Sequence, residues 1–321
     1  MIKGKQPMFG LVGWALEWIT AIVLYLVCTA LLGWDWFRVT SVALLGLFFG
    51  FWFSDFQNWP FNKLGIPGMG IVTSAVSLIL GGLTWEYLRL VGWDPYTWAF
   101  PIIVTLYFLF LVTAMAFGNV HLEGRAPIER AFINFVIYFF GTWLILACAV
   151  AAGIPALQGG IPAHWFPIAQ FYFLSLGAWI TRERGQPAKG VVDLIVVIFI
   201  TFLYIVGLGA FGVPTAILAF NPQLIAWVAI LSATGVPLFV FLGNYPWRRL
   251  KQPWMGIAGF ILLFVIGAIT MTIMEFGLAH EYTTIIALGF CAVTTEFFMA
   301  FQFLYGVPEC FGYLAGGATE D

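Results

Sequence analysis

The stretches NWPFNKLGIPGMGI (residues 58–71) and NYPWRRLKQPWMGI (residues 244–257) coincide at seven of fourteen positions, with Trp/Tyr, Phe/Trp and Lys/Arg as near matches at three more. Each lies between two long apolar runs, so the chain returns to one local design after 186 residues. The second proline of that design extends the pattern. Similar prolines stand at Pro7, Pro67, Pro127, Pro187, Pro253 and Pro308, with spacings of 60, 60, 60, 66 and 55. The first five open apolar runs, in KQPMFG, GIPGMG, RAPIER, GQPAKG and KQPWMG, and the sixth, in GVPECFG, opens the tail. Proline suits the first turn of a helix, where its missing N–H has no partner to lose. Trp34 and Asp35 in turn precede Trp93 and Asp94 by 59 residues. The pattern predicts tandem helical hairpins at 7–66, 67–126, 127–186, 187–252 and 253–307, followed by a short tail at 308–321. An offset of three units, or six helices, leaves both copies of the motif pointing the same way, which makes this a parallel repeat.

Composition places these hairpins in a membrane. Hydrophobic residues make up 62% of the 321 and charged residues only 9%, against roughly a quarter charged in soluble domains. Ten apolar intervals separate the charge clusters, at 8–33, 39–54, 68–91, 99–118, 131–153, 163–181, 190–213, 221–242, 254–278 and 283–306. Most approach the ~20 residues needed to cross a hydrocarbon core. The expected fold is all-α and polytopic: one transmembrane domain, residues 1–321, of about ten helices. The first apolar run is too long for a signal-peptide core and reads as a retained helix.

Net charge, −2, says less than the placement of the basic residues. Eleven of the thirteen fall at the amino terminus or in alternate loops, while Arg38 and Arg89 lie near the other loops. The bias predicts that both termini are cytoplasmic, with the prokaryotic cytoplasmic membrane as the expected location. The repeated segment then reads as a cytoplasmic turn whose basic residues meet lipid headgroups.

Acidic residues within apolar runs are costly, roughly 2.5–3.5 kcal/mol each at mid-helix on insertion scales, and therefore informative. Glu17 stands ten residues beyond Pro7, about 15 Å into a helix. Trp14 and Trp18 flank it in WALEW, an arrangement suited to a weakly hydrated cation such as an alkylated ammonium. Glu296 occupies the middle of the last apolar run with Gln302 nearby, and Asp55 stands twelve residues before Pro67, as Glu296 does before Pro308. Glu17, Trp14, Trp18, Glu296, Gln302 and Asp55 form the expected substrate or ion site. Asp193 is expected to pair with Arg184 or Lys189 near a helix start. Gly235 and Pro237 break one apolar run, and Tyr107, Asn134, Tyr138, Gln170 and Tyr204 are polar groups placed to reach inward. Asp35, Glu86, Asp94, Glu275 and Glu281 fall at the opposite end, as a solvated rim that would also attract cations.

Other chemistry lacks its residues. His121, His164 and His280 lie in or beside loops, no lysine sits in mid-run, and there is no HExxH motif or Walker A glycine loop. Cys28, Cys148, Cys291 and Cys310 are scattered and expected to pack as small hydrophobes. The sequence thus predicts a non-enzymatic secondary transporter of a small solute, an organic cation being the leading class. H+ or Na+ is its expected coupling ion and membrane lipids its surroundings, with no cofactor, metal or nucleic acid. The competing expectation is a non-catalytic membrane subunit of a larger complex, redox or quinone-associated, and a homo-oligomer is compatible with either.

Overall fold

The computed structural model describes residues 7–56, 58–153, 165–181, 183–210, 222–242, 244, 247–278 and 281–299. Among them there is no strand, and each of the ten apolar intervals carries a helix. In chain order these are α1 (Met8–Leu26), α2 (Trp36–Asp55), α3 (Gly65–Leu90), α4 (Pro95–Phe110), α5 (Pro127–Ala151), α6 (Trp165–Gln170), α7 (Ala188–Ala210), α8 (Pro222–Val236), α9 (Trp254–Ile273) and α10 (Tyr282–Phe298). Among the described residues, seven apolar helical spans are long enough to cross a membrane by length and composition. The expected Gln302 and the tail from Pro308 lie outside the described residues.

Burial divides the helices into two sets. Within the apolar windows of α2 and α8, 83% of residues are buried, against 22% for α1 and α5. α10 is buried continuously from Ile285 to Phe298. α10 packs between α2 and α8, α2 continues to α4, and α8 to α6. The ring of Phe51 on α2 stacks on Phe110 of α4 at 4.2 Å and meets Phe297 of α10 edge-on at 4.8 Å. The Thr294 hydroxyl donates to the Ala43 carbonyl at 3.1 Å, joining α10 to α2.

The other five helices lie outside this core. α1 leans on α10 and the end of α8, α3 on α2, α5 on α4 and α2, α7 on α6 and the end of α4, and α9 on α8 and the end of α6. Their outward faces expose Leu16, Ile79, Leu144, Phe199 and Ile261, among others. Such faces are compatible with lipid, which has no polar groups to offer and none to demand. Cys28 and Cys291 are buried as expected of small hydrophobes, but Cys148 is exposed on the outward face of α5.

The two opening stretches begin at the same backbone feature. Asn58 and Asn244 are left-handed, at φ 55° and 58°, and a short 3₁₀ turn follows each, at Phe61–Leu64 and Trp247–Arg249. Asn119 (φ 55°) and Ala178 (φ 48°) occupy the corresponding places after α4 and α6, with 3₁₀ turns at Val120–Leu122 and Trp179–Thr181. Asn visits this conformation more readily than most L residues. Ala178 lacks that preference, and the surrounding fold imposes the turn. Before three of these residues the helix widens into a π turn, at Leu111–Ala116, Phe171–Ser175 and Pro237–Phe241.

A glycine three residues past a repeated proline meets the end of one of these helices in three places. A Cβ on Gly10, Gly190 or Gly256 would stand 2.5, 2.5 or 2.1 Å from the side chains of Leu242, Phe117 and Leu176, respectively. Each partner lies two residues before a left-handed residue. Gly256→Val should therefore overpack α9 against Leu176 and cost about 1–3 kcal/mol, seen as a lower thermal midpoint of the purified protein. Gly82→Val, where a Cβ meets nothing within 4 Å, should change that midpoint far less.

Candidate functional site

Four acids are buried, Glu17, Asp55, Asp193 and Glu296, and they differ in their partners. Asp55, at the end of α2, accepts from Asn119 Nδ2 at 2.9 Å on one oxygen. Its other oxygen accepts from Asn134 Nδ2 at 2.6 Å and the Tyr138 hydroxyl at 2.8 Å. Asn134 Oδ1 lies 3.0 Å from His121 Nε2, and the Tyr138 hydroxyl 3.0 Å from Thr113 Oγ1. The structure closes Asp55 among two amides and a phenol, with the charge of Arg130 also acting on it, and joins α2, the turn after α4 and α5 in one network. Asn134 and Tyr138 do reach inward, as their placement suggested.

Asp193, near the start of α7, is also saturated. It takes Lys189 Nζ at 2.6 Å on one oxygen, and the Tyr172 hydroxyl at 2.6 Å together with Thr181 Oγ1 on the other. The expected lysine pairing is present. Tyr172 and Thr181 were not visible as partners in the sequence, because they come from α6 and the turn after it.

Glu17 and Glu296 are different. Both are fully buried, and among the described residues none of their four carboxyl oxygens has a hydrogen-bond partner. α1 carries Glu17 against α10, which carries Glu296, and the two carboxyls lie within electrostatic range of each other. Isolated carboxylates in a low-dielectric interior carry a desolvation cost that a proton, a cation or donor groups must offset. Trp14 and Trp18 are half-buried beside Glu17. Trp14 Nε1 is itself buried without a partner, and Trp18 packs against the central apolar cluster. The structure thus brings the helices of Glu17 and Glu296 into contact, with Trp14 and Trp18 on the same helix as Glu17, and it places Asp55 in a separate network.

The acids at the opposite end have local duties. Asp35 accepts from the Arg38 backbone N–H at 2.8 Å and so caps α2, and Asp94 caps α4 from Tyr96 N at 3.2 Å and Thr97 Oγ1 at 2.6 Å. The Tyr96 hydroxyl also donates to Asp35. Glu86 is shared by Arg38 at 2.5 Å and Arg89 at 2.8 Å, and Arg38 lies over the Trp34 ring at 4.5 Å. The echo of Trp34–Asp35 in Trp93–Asp94 therefore marks two helix N-caps.

The packed apolar helices, with their long unbroken spans and lipid-compatible outer faces, define an integral helical membrane protein. Comparison of the chain with protein-family models, with curated proteins and with solved structures gave no match.

Asp55→Ala should leave the amide donors of Asn119 and Asn134 without that acceptor, while Tyr138 keeps Thr113, and cost about 1–3 kcal/mol for each unpaired donor. Tyr138→Phe, which removes one donor, should cost about 1–2 kcal/mol. Denaturation of the two variants and of their combination gives the coupling directly, and additive effects would contradict the network.

Proposed function

We propose that this protein is a secondary transporter or permease for a small solute, in which Glu17 and Glu296 form the ion or substrate site. The single observation behind this reading is the pair of fully buried carboxyls on α1 and α10 with no hydrogen-bond partner. A carboxyl pair held in this way responds to the arrival of a proton or cation more strongly than a solvated one, because each added charge acts in a low-dielectric setting. An organic cation such as a methylated amine is the substrate class favoured by the half-buried indoles of Trp14 and Trp18. H+ or Na+ is the coupling ion in this scheme.

The architecture proposed with it is five parallel hairpins and ten spans in a prokaryotic cytoplasmic membrane, with both termini cytoplasmic. The recurring left-handed residue and 3₁₀ turn support the repeat, as do the three equivalent glycine contacts. The basic residues around those turns support the orientation. Cysteines introduced at Lys63 and Asp94 check it: an impermeant reagent applied from outside should label the second and spare the first. The reverse pattern would overturn the orientation.

Glu17→Gln preserves shape while removing a charge. Screened against choline, trimethylamine, Na+ and pH, the purified protein should gain thermal stability with at least one cation or protonation state, and Glu17→Gln and Glu296→Gln should each abolish that gain. Trp14→Ala or Trp18→Ala should weaken organic-cation binding by about 0.5–2 kcal/mol. Should the proton be the only ligand, exchange of labelled solute would survive in Glu17→Gln while uphill accumulation stops. Unchanged cation and proton responses in both Gln variants would reduce the pair to a packing feature and remove the basis of the transport reading.

A further inference from the structure

A second group of unpartnered polar atoms lies where α6 meets α8. Gln170 ends α6 and is 1% exposed, yet neither its amide nitrogen nor its amide oxygen has a partner. It faces Gly235 of α8, where a Cβ would stand 2.4 Å from Gln170 Oε1. Any larger residue at 235 would thus expel the amide from its position. Ser232, three residues before Gly235 and so on the same face of α8, is fully buried with an unpartnered hydroxyl. The contrast with its neighbour is informative. Thr234 bonds back to the Ile230 carbonyl at 2.8 Å, the usual resort of a hydroxyl in an apolar helix, and Ser232 does not.

The helix is irregular at the same level. Pro237 has no N–H for the Ala233 carbonyl, and α8 passes into the π turn Pro237–Phe241. Helix breaks of this kind at membrane depth are tolerated where they line a binding cavity or are satisfied by neighbours. Phe239 is the apolar neighbour of Gly235 there, its ring 3.7 Å from where a Cβ would stand.

We propose that the α6–α8 interface binds a small uncharged solute bearing an amide-type group, such as a primary carboxamide or a urea. The donor and acceptor inventory selects this class. Gln170 offers N–H donors beside a carbonyl acceptor, and an amide presents the complementary pair side by side, closing two hydrogen bonds at once. Ser232 can give or accept a third. A bare cation has nothing for the Gln170 nitrogen, and a carboxylate has nothing for its oxygen. Each unpaired buried group costs about 1–3 kcal/mol, so a ligand that pairs all three replaces a penalty with a gain. This site uses none of the residues of the Glu17–Glu296 seam, and its occupancy does not depend on whether the chain transports.

Saturation-transfer NMR on the purified full chain tests the proposal, with acetamide as probe and acetate and ethylammonium as charged counterparts of similar size. Acetamide should give the strongest signal. Its binding should fall about 5–10-fold in Ser232→Ala, the equivalent of one hydrogen bond, and vanish in Gln170→Leu. Glu17→Gln should leave it unchanged. Removing an unpartnered buried amide should leave the thermal midpoint level or higher, so Gln170→Leu is expected to fold. If it does not, Gln170→Met, which approximates the length and has no N–H donor, takes its place and should also lose the probe. Equal signals for acetamide and acetate in the unaltered protein would overturn the assignment, leaving only bound water to satisfy these groups. Acetamide binding that persists in the Gln170 variant would overturn it as well.

Discussion

Every polar group within the apolar spans must find its partner inside the protein, because lipid supplies neither donors nor acceptors. That constraint organises the molecule. The Asp55 network ties α2 to α4 and α5, and the Asp193 cluster ties α7 to α6 and the turn beyond it. Both sit near helix ends beside a left-handed turn residue, so the most expensive groups double as joints between helices. Apolar packing alone does little to select helix neighbours in a membrane, since lipid tails are as apolar as leucine. Hydrogen-bonded joints and close glycine contacts are the features that can fix which helix lies beside which.

Set against these saturated acids, the unsatisfied groups stand out. Glu17 and Glu296 share one seam between α1 and α10, and Gln170 and Ser232 share one interface between α6 and α8. The first pair is acceptor-rich and calls for positive charge. The second carries donors and acceptors in equal measure and calls for a neutral polar group. The two groups differ in polarity and each is attached to the buried core helices, which is why the proposed cation site and the proposed amide site are tested separately. In the proposed transport scheme the core formed by α2, α8 and α10 supplies the rigid reference, while α1 contributes its carboxyl from the outer set.

Apolar runs, proline spacing and the placement of basic residues were all legible in the chain, because each depends on local composition and on the ~30 Å thickness of a bilayer. The helices at the ten apolar intervals follow from that local information. The unusual depth of Glu17 and Glu296 was legible for the same reason, as was the partnership of Asp193 with Lys189, four residues apart on one helix turn. The period of 60 pointed to the repeated turn, but Ala178 shows why the turn itself could not be read from residue type: there the left-handed conformation is imposed without the Asn found at the other three positions.

Tertiary structure alone decided which acids are satisfied. Asp55 and Glu296 stand at the same distance before their prolines, yet one is enclosed by Asn119, Asn134 and Tyr138, while the other, on a helix packed against that of Glu17, has no hydrogen-bond partner among the described residues. The partners of Asp55 lie 64 to 83 residues away in the chain, brought close only when helices choose neighbours. The division into buried and lipid-facing helices was hidden likewise, since α2 and α3 are similarly apolar, with hydropathy 1.5 in each, while 83% and 33% of them are buried. In a membrane, hydrophobicity reports that a helix can leave water; it does not report whether the helix then meets lipid or protein, because the two surroundings are nearly equal in polarity.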